Sequence, residues 1–125
     1  MTAGTSDYER AGGERLREVV AEFVRRMAAD FVIGFRFEGK DLDRIAHHEF
    51  ELAAAHLGGP QAYGGRSLPQ AHRPMRINRG QFRRRLAVLR TVLREHDVPE
   101  DVIERWIAHD EALIDVIAEP RDCVP

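Results

Sequence analysis

The sequence has 125 residues, of which 43% are hydrophobic and 32% charged, with a formal net charge of −2. This length allows one domain, the composition excludes wholesale disorder, and the charge gives no case for a nucleic-acid partner at the level of the whole chain. Cys123, the single cysteine, excludes an internal disulfide, and no apolar run approaches the roughly 18 residues of a membrane span. We expect one cytoplasmic domain over residues 1–125, with a mobile start at 1–6 and a tail at 119–125.

The first third of the chain predicts a short helix, a long helix and a corner. Ser6 and Glu9 have the spacing of a capping box, and Gly12-Gly13 ends the short helix that this box opens. Apolar residues at helical spacing predict a long helix over Glu14–Ala29. The aromatic run Phe31–Phe37 has no second strand to pair with, so we interpret it as a corner packed on the core.

Three further helices are predicted from start and stop signals. A second long helix is expected over Leu42–Leu57, ending at Gly58-Gly59-Pro60. Asn78 and Gln81 form a capping box for a third, and Asp97-Val-Pro-Glu100 is expected to cap a fourth. The sequence therefore predicts an all-α fold with four substantial helices.

A long irregular stretch separates the second and third of these helices. It runs from Gly58 to Arg76, whereas helices in small bundles are normally joined by about two to eight residues. Near its end, His72 lies between Pro69 and Pro74, which hold the chain stiff. Neutral imidazole is the commonest protein ligand of transition metals, so this stretch indicates a ligand site around His72.

Several segments carry a resemblance when they are taken together. In chain order they are Tyr8–Gly13, Phe23, Phe37, Leu57–Gly65, Ala71-His72 with Ile77 and Phe82, and Val98–Glu100. Their order and spacing resemble the truncated haemoglobins, the two-over-two helical haem proteins, and are most similar to the first group of that family. The resemblance runs nearly from end to end of the chain.

The resemblance implies haem b as the cofactor and His72 as the proximal iron ligand. It implies a diatomic gas as ligand, either bound reversibly or used in redox chemistry, which would need a partner such as a reductase. Arg73, Arg76 and Tyr63 are candidates to bind the haem propionates, since an arginine fork suits a carboxylate. The complete set of candidate haem contacts is Phe23, Val24, Phe37, Ile45, Glu49, Tyr63, Arg73, Arg76, Ile77, Phe82, Arg85 and Leu86.

The distal side departs from the family pattern. Val24 occupies the position where the family generally places a tyrosine that donates a hydrogen bond to bound oxygen. Ile45 and Glu49 fall where glutamine or another polar residue is frequent, and Arg85 falls where valine or tryptophan is frequent. Without the usual hydrogen-bonding network, tight oxygen storage is not the expected role.

The helical periodicity leads independently to two of these residues. Arg85 lies three residues after Phe82 on an apolar stripe, and Glu49 lies four residues after Ile45 on another. A buried charge is costly unless it is paired, so we predict that Arg85 and Glu49 form an ion pair. The alternative is that Arg85 extends from the edge of its stripe into water.

Other readings remain open. His48 matches a position from which some truncated haemoglobins supply a second iron ligand, which would give a six-coordinate protein for electron transfer or sensing; alternatively it is a surface residue. His56, His96 and His109 are interpreted as structural. A haem-free regulatory module, a DNA-binding domain built on the arginine-rich third helix, and a side activity of the nitric oxide dioxygenase or peroxidase type are further alternatives.

Overall fold

The computed structural model describes residues 5–60 and 78–114, and within these ranges the chain is helical without a β-strand. The elements are α1 (Asp7–Arg10), a 3-10 turn (Gly13–Arg15), α2 (Leu16–Ala28), a second 3-10 turn (Gly34–Phe37), α3 (Leu42–His56), α4 (Arg79–Glu95) and α5 (Glu100–Glu111). The predicted all-α class is thereby confirmed. None of the helices in the described ranges combines the length and apolar character needed to cross a bilayer.

Two helices begin at the capping boxes that the sequence predicts. The Ser6 Oγ accepts a hydrogen bond from the Glu9 backbone N–H at 3.1 Å, and the Glu9 carboxylate accepts from the Ser6 N–H. Asn78 and Gln81 make the same reciprocal contacts at the start of α4. Both boxes satisfy backbone donors that a helix terminus otherwise leaves unpaired.

Asp97 has a different role from the one predicted. The residue before α5 is Pro99, which makes no side-chain capping hydrogen bond. Asp97 instead has a left-handed backbone with φ of 59°, and its N–H donates to the Arg94 carbonyl at 3.1 Å while the Val98 N–H donates to the Leu93 carbonyl. This pattern closes the end of α4. The expectation that Asp97 caps α5 was wrong because the residue terminates the preceding helix.

The core lies where α2 packs on α3 and α4, with α5 covering α4. Six residues of α2 are buried at the spacing of a single helical face, as predicted: Leu16, Val19, Val20, Phe23, Val24 and Met27. Burying each large apolar side chain stabilises the fold by about 1.5–3 kcal/mol relative to exposure. The helix α2 therefore serves as the element on which α3 and α4 pack, and α4 in turn supports α5.

The aromatic corner is only partly packed on the core. Ile33 is 4% exposed, but Phe31 is 89% and Phe35 57% exposed, so for these two phenylalanines the prediction was wrong. The Asp30 carboxylate accepts hydrogen bonds from the backbone N–H groups of Val32 and Ile33, which tightens the turn after α2. This turn and the following 3-10 segment direct Ile33 inwards and leave Phe31 and Phe35 on the surface.

The close approach of this corner to α2 depends on Gly34. A Cβ atom at this position would lie 2.6 Å from the backbone carbonyl oxygen of Ala28, which cannot move aside as a side chain could. We predict that Gly34→Ala lowers the free energy of unfolding by about 1–3 kcal/mol because it overpacks the turn.

The matched control for Gly34→Ala is Gly80→Ala, in the first turn of α4 and exposed to solvent. Alanine is favoured over glycine in helices by about 1 kcal/mol, so this variant is expected to be neutral or more stable. Urea unfolding of both variants measures the difference. Equal midpoints for the two variants would contradict the role assigned to Gly34.

Candidate functional site

The predicted ion pair between Arg85 and Glu49 is confirmed. Arg85 on α4 donates two hydrogen bonds to the Glu49 carboxylate on α3, from Nη1 to Oε2 at 2.6 Å and from Nη2 to Oε1 at 2.9 Å. The two side chains are 18% and 19% exposed. Two parallel bonds between a guanidinium and a carboxylate fix both groups in direction as well as distance. The pair therefore joins α3 to α4 in one defined geometry.

A second carboxylate faces the same guanidinium. Asp110 on α5 lies 3.5 Å through its Oδ2 from the Arg85 Nη2, and it is the one buried charged residue in the described part of the core. The sequence analysis missed Asp110. The available signal was its position four residues after Trp106, on the buried face of α5.

The surroundings of Arg85 are apolar apart from these acids. Its Cζ lies 5.0 Å from the centre of the Phe23 ring and 5.8 Å from that of Phe82, within the range of cation–π contact. Burial acts to lower the pKa of Arg85, but Glu49 and then Asp110 outweigh it, so the pKa stays above its ordinary value. Within the described ranges the Arg85 Nε has no hydrogen-bond partner, so one donor of the group remains available.

The structure also places the apolar candidates of the predicted site. Phe23, Val24, Phe82 and Leu86 are buried in the core, whereas Phe37 and Ile45 are only partly buried against it. The ion pair and the cation–π contacts described above bring together four of the candidates: Phe23, Phe82, Glu49 and Arg85. The remaining candidates lie outside the described residues: His72, Tyr63, Arg73, Arg76 and Ile77. So do residues 61–76 of the predicted irregular stretch and the tail at 119–125.

His48 lies on α3 next to the pair but contacts another group. Its Nδ1 is 3.4 Å from the Glu51 Oε1, and the neighbouring His47 approaches the other oxygen of the same carboxylate at 3.3 Å. The His48 side chain is partly buried. His48 therefore has a carboxylate partner on its own helix, as expected for a histidine on the helix surface.

The arginine-rich face of α4 is largely neutralised by carboxylates. Arg84 pairs with Asp30, Arg90 with Glu104, and Arg94 with Glu100 at 3.0 Å. A nucleic-acid-binding face needs positive charge that is available to phosphates. These pairings argue against the DNA-binding alternative.

A second polar cluster lies where the end of α3 meets α5. The rings of His56 and His109 stack in parallel, with centroids 3.7 Å apart and planes 8° apart, and the His109 Nδ1 is 3.1 Å from the Asp110 Oδ1. Trp106 meets the edge of His56. Burial and then the neighbouring His109 lower the pKa of His56 to about 4, so its ring is neutral at pH 7.

Comparisons with known proteins show which family this chain is similar to. Residues 6–117 match the model of the bacterial-like globin family. A group 1 truncated hemoglobin of Mycolicibacterium paratuberculosis is 34% identical over 100 residues, 78% of this chain and 73% of the relative. A group 1 truncated hemoglobin of Tetrahymena pyriformis is 29% identical over 97 residues, 77% of this chain and 80% of the relative. The crystal structure of truncated hemoglobin from Tetrahymena pyriformis in its Fe(III) form superposes with a TM-score of 0.85 at 24% identity, covering 91% and 98% of the two chains.

The Arg85–Glu49 pair makes a testable prediction about stability. Arg85→Leu leaves the buried Asp110 and the partly buried Glu49 without a counter-charge and is expected to cost about 3–5 kcal/mol of unfolding free energy. The double variant Arg85→Leu/Glu49→Leu removes both charges of the pair, so it is expected to be more stable than Arg85→Leu alone. Denaturant unfolding of the wild type, both single variants and the double variant measures the coupling. Additive losses would show that the two side chains do not interact.

Proposed function

This chain belongs to the bacterial-like globin family, and from that membership we propose that it binds haem b and a diatomic gas ligand. The match over residues 6–117 is the observation that carries the proposal, since members of this family hold haem and bind gaseous ligands. Haem supplies an iron that binds diatomic gases reversibly or passes electrons to them. The residues proposed to hold the haem and to face its ligand are specific to this chain.

The described residues offer an apolar surface that suits a porphyrin. The partly buried apolar side chains include Phe37, just before α3, and Leu42, Ile45 and Ala46 in the first turns of α3. A large apolar cofactor would complete their burial. The sequence contains no Cys-x-x-Cys-His attachment segment, since Cys123 is the only cysteine, which favours the non-covalent haem b.

We assign the iron ligand and the propionate contacts to the segment after α3. His72 is proposed as the proximal ligand, and in the sequence it lies between Pro69 and Pro74. Arg73 and Arg76, with Tyr63 as a further donor, are proposed to bind the two propionates. Ile77, just before α4, is proposed as a further haem contact. These assignments rest on the sequence pattern, since all five residues lie outside the described ranges.

On the ligand side, Arg85 is the proposed polar contact in place of the tyrosine that the family generally has. Glu49 holds the guanidinium with two hydrogen bonds while the Nε–H has no partner in the described ranges. A donor held in this way can stabilise a polar or anionic ligand without reorganising. Because arginine stays protonated, this contact would not change across physiological pH.

His48 remains the second candidate for the sixth iron position. Its support is its place on α3 one residue before Glu49, together with its partly buried ring. Its contact with Glu51 supports the other view, in which the histidine stays on the helix surface and the sixth position is open. We favour the open position, because a ligand bound there could contact Arg85 as Glu49 holds it. His48 already has a partner on its own helix in Glu51 and does not need the iron. Redox turnover would further need an electron donor such as a reductase.

Haem uptake tests the proposal directly. We expect the purified protein, titrated with hemin, to develop a Soret band at one equivalent. His72→Ala is expected to weaken hemin binding by more than about tenfold, since even groups that merely support a metal ligand contribute that much.

The matched control for His72→Ala is His96→Ala, which removes an exposed histidine at the end of α4 and should leave uptake unchanged. A wild type that gains no haem band would contradict the proposed function and favour a haem-free globin module. Equal binding by the His72 variant would contradict only the assignment of the proximal ligand.

A further inference from the structure

The cluster at the junction of α3 and α5 has the composition of a metal site. His56 is the last residue of α3, and His109 and Asp110 lie in the last turn of α5. One ligand atom from each of the three lies within 4.8 Å of the others. Two imidazoles and a carboxylate are a common donor set for borderline divalent metal ions.

The charges around the cluster are not balanced, because negative groups outnumber positive ones there. Arg85 faces two carboxylates, Glu49 and Asp110, so one negative charge in this group is not balanced by the guanidinium. Asp110 is 4% exposed, and a buried carboxylate is costly unless a positive charge compensates it. Glu49 takes both short hydrogen bonds of Arg85, which leaves Asp110 as the less satisfied acid.

The imidazole of His56 is ready to act as a ligand. Its Nε2 is buried and has no hydrogen-bond partner within the described ranges. A neutral imidazole can offer this nitrogen's lone pair to a metal ion. A buried polar atom without a partner needs an explanation, and a metal ligand is one.

We propose that His56, His109 and Asp110 form a binding site for one divalent transition-metal ion of the Zn²⁺ class. Zinc binds imidazole nitrogen at about 2.0–2.1 Å and carboxylate oxygen at similar distances, so the three ligand atoms must draw closer together than they lie here. The His109 ring must also turn out of its parallel stack on His56, because the in-plane lone pairs of stacked rings do not converge on one ion. The side chain of His109 is partly exposed, which leaves room for this turn. The bound ion neutralises Asp110 and links the end of α3 to α5.

The proposed metal site lies at the end of α3, so metal binding there should affect the stability of the protein. His56 directly precedes Leu57 and the Gly58-Gly59 turn, from which the chain runs into the segment that carries His72. An ion at this point fixes where that segment begins. Metal binding should therefore raise the thermal stability of the protein, since a ligand that binds the folded state stabilises it.

The test is a calorimetric titration of the full-length, haem-reconstituted protein with Zn²⁺ after treatment with a chelator. We expect one equivalent to bind with micromolar or tighter affinity. His56→Gln and His109→Gln should each weaken binding by more than about tenfold, since each removes a direct ligand. Glutamine keeps much of the side-chain volume, and circular dichroism confirms that each variant is folded. X-ray absorption at the zinc edge should show two imidazoles and one oxygen ligand from protein.

The matched controls are His47→Ala and His96→Ala. His47 lies near Glu51 on α3 and could bind zinc at the surface, whereas His96 is an exposed histidine at the end of α4. Both variants should bind zinc as the wild type does. Loss of binding in His47→Ala but not in His56→Gln would overturn the proposal in favour of a surface site. Absence of binding below millimolar zinc would also overturn it.

Discussion

The burial of one guanidinium is the constraint on which the arrangement of the long helices depends. Arg85 projects from α4 into apolar surroundings, where a charge is tolerated only if acids compensate it. Glu49 comes from α3, Asp110 from α5, and the ring of Phe23 from α2. All four long helices must therefore keep their relative positions for this group to be satisfied. Apolar packing alone would permit more sliding than a bidentate ion pair does.

The burial of Arg85 also determines which kind of hydrogen-bond donor is proposed to face the ligand. The resemblance to the truncated haemoglobins places Val24 where the family generally has a tyrosine, whose hydroxyl would be a neutral donor. Here the proposed donor is a permanent cation whose direction is set by Glu49. A charged donor favours ligands that carry or develop negative charge, including a partly reduced diatomic. On this proposal, the site suits polar or anionic ligands rather than simple storage of a neutral gas.

Local signals predicted much of the fold, while contacts between distant segments were harder to infer. Both capping boxes and the Arg85–Glu49 pair could be predicted, because a cap is local and a charge on an apolar stripe requires a partner. Asp110 was missed, although its spacing from Trp106 indicated a buried position; its contact with Arg85 depends on how α5 packs on α4. Asp97 was assigned to the wrong helix, since its left-handed backbone depends on how α4 ends. The stacking of His56 on His109 likewise depends on the packing of α3 against α5.

The rate of oxygen dissociation from the ferrous protein tests the central claim most directly. If Arg85, held by Glu49, is the polar contact of the ligand, Arg85→Leu/Glu49→Leu should release oxygen about 10- to 100-fold faster, as expected for loss of a charged hydrogen bond. His48→Ala should then leave the rate and the spin state nearly unchanged. An unchanged rate in the double variant, together with a change from low-spin to high-spin iron in His48→Ala, would contradict the account and assign the sixth position to His48.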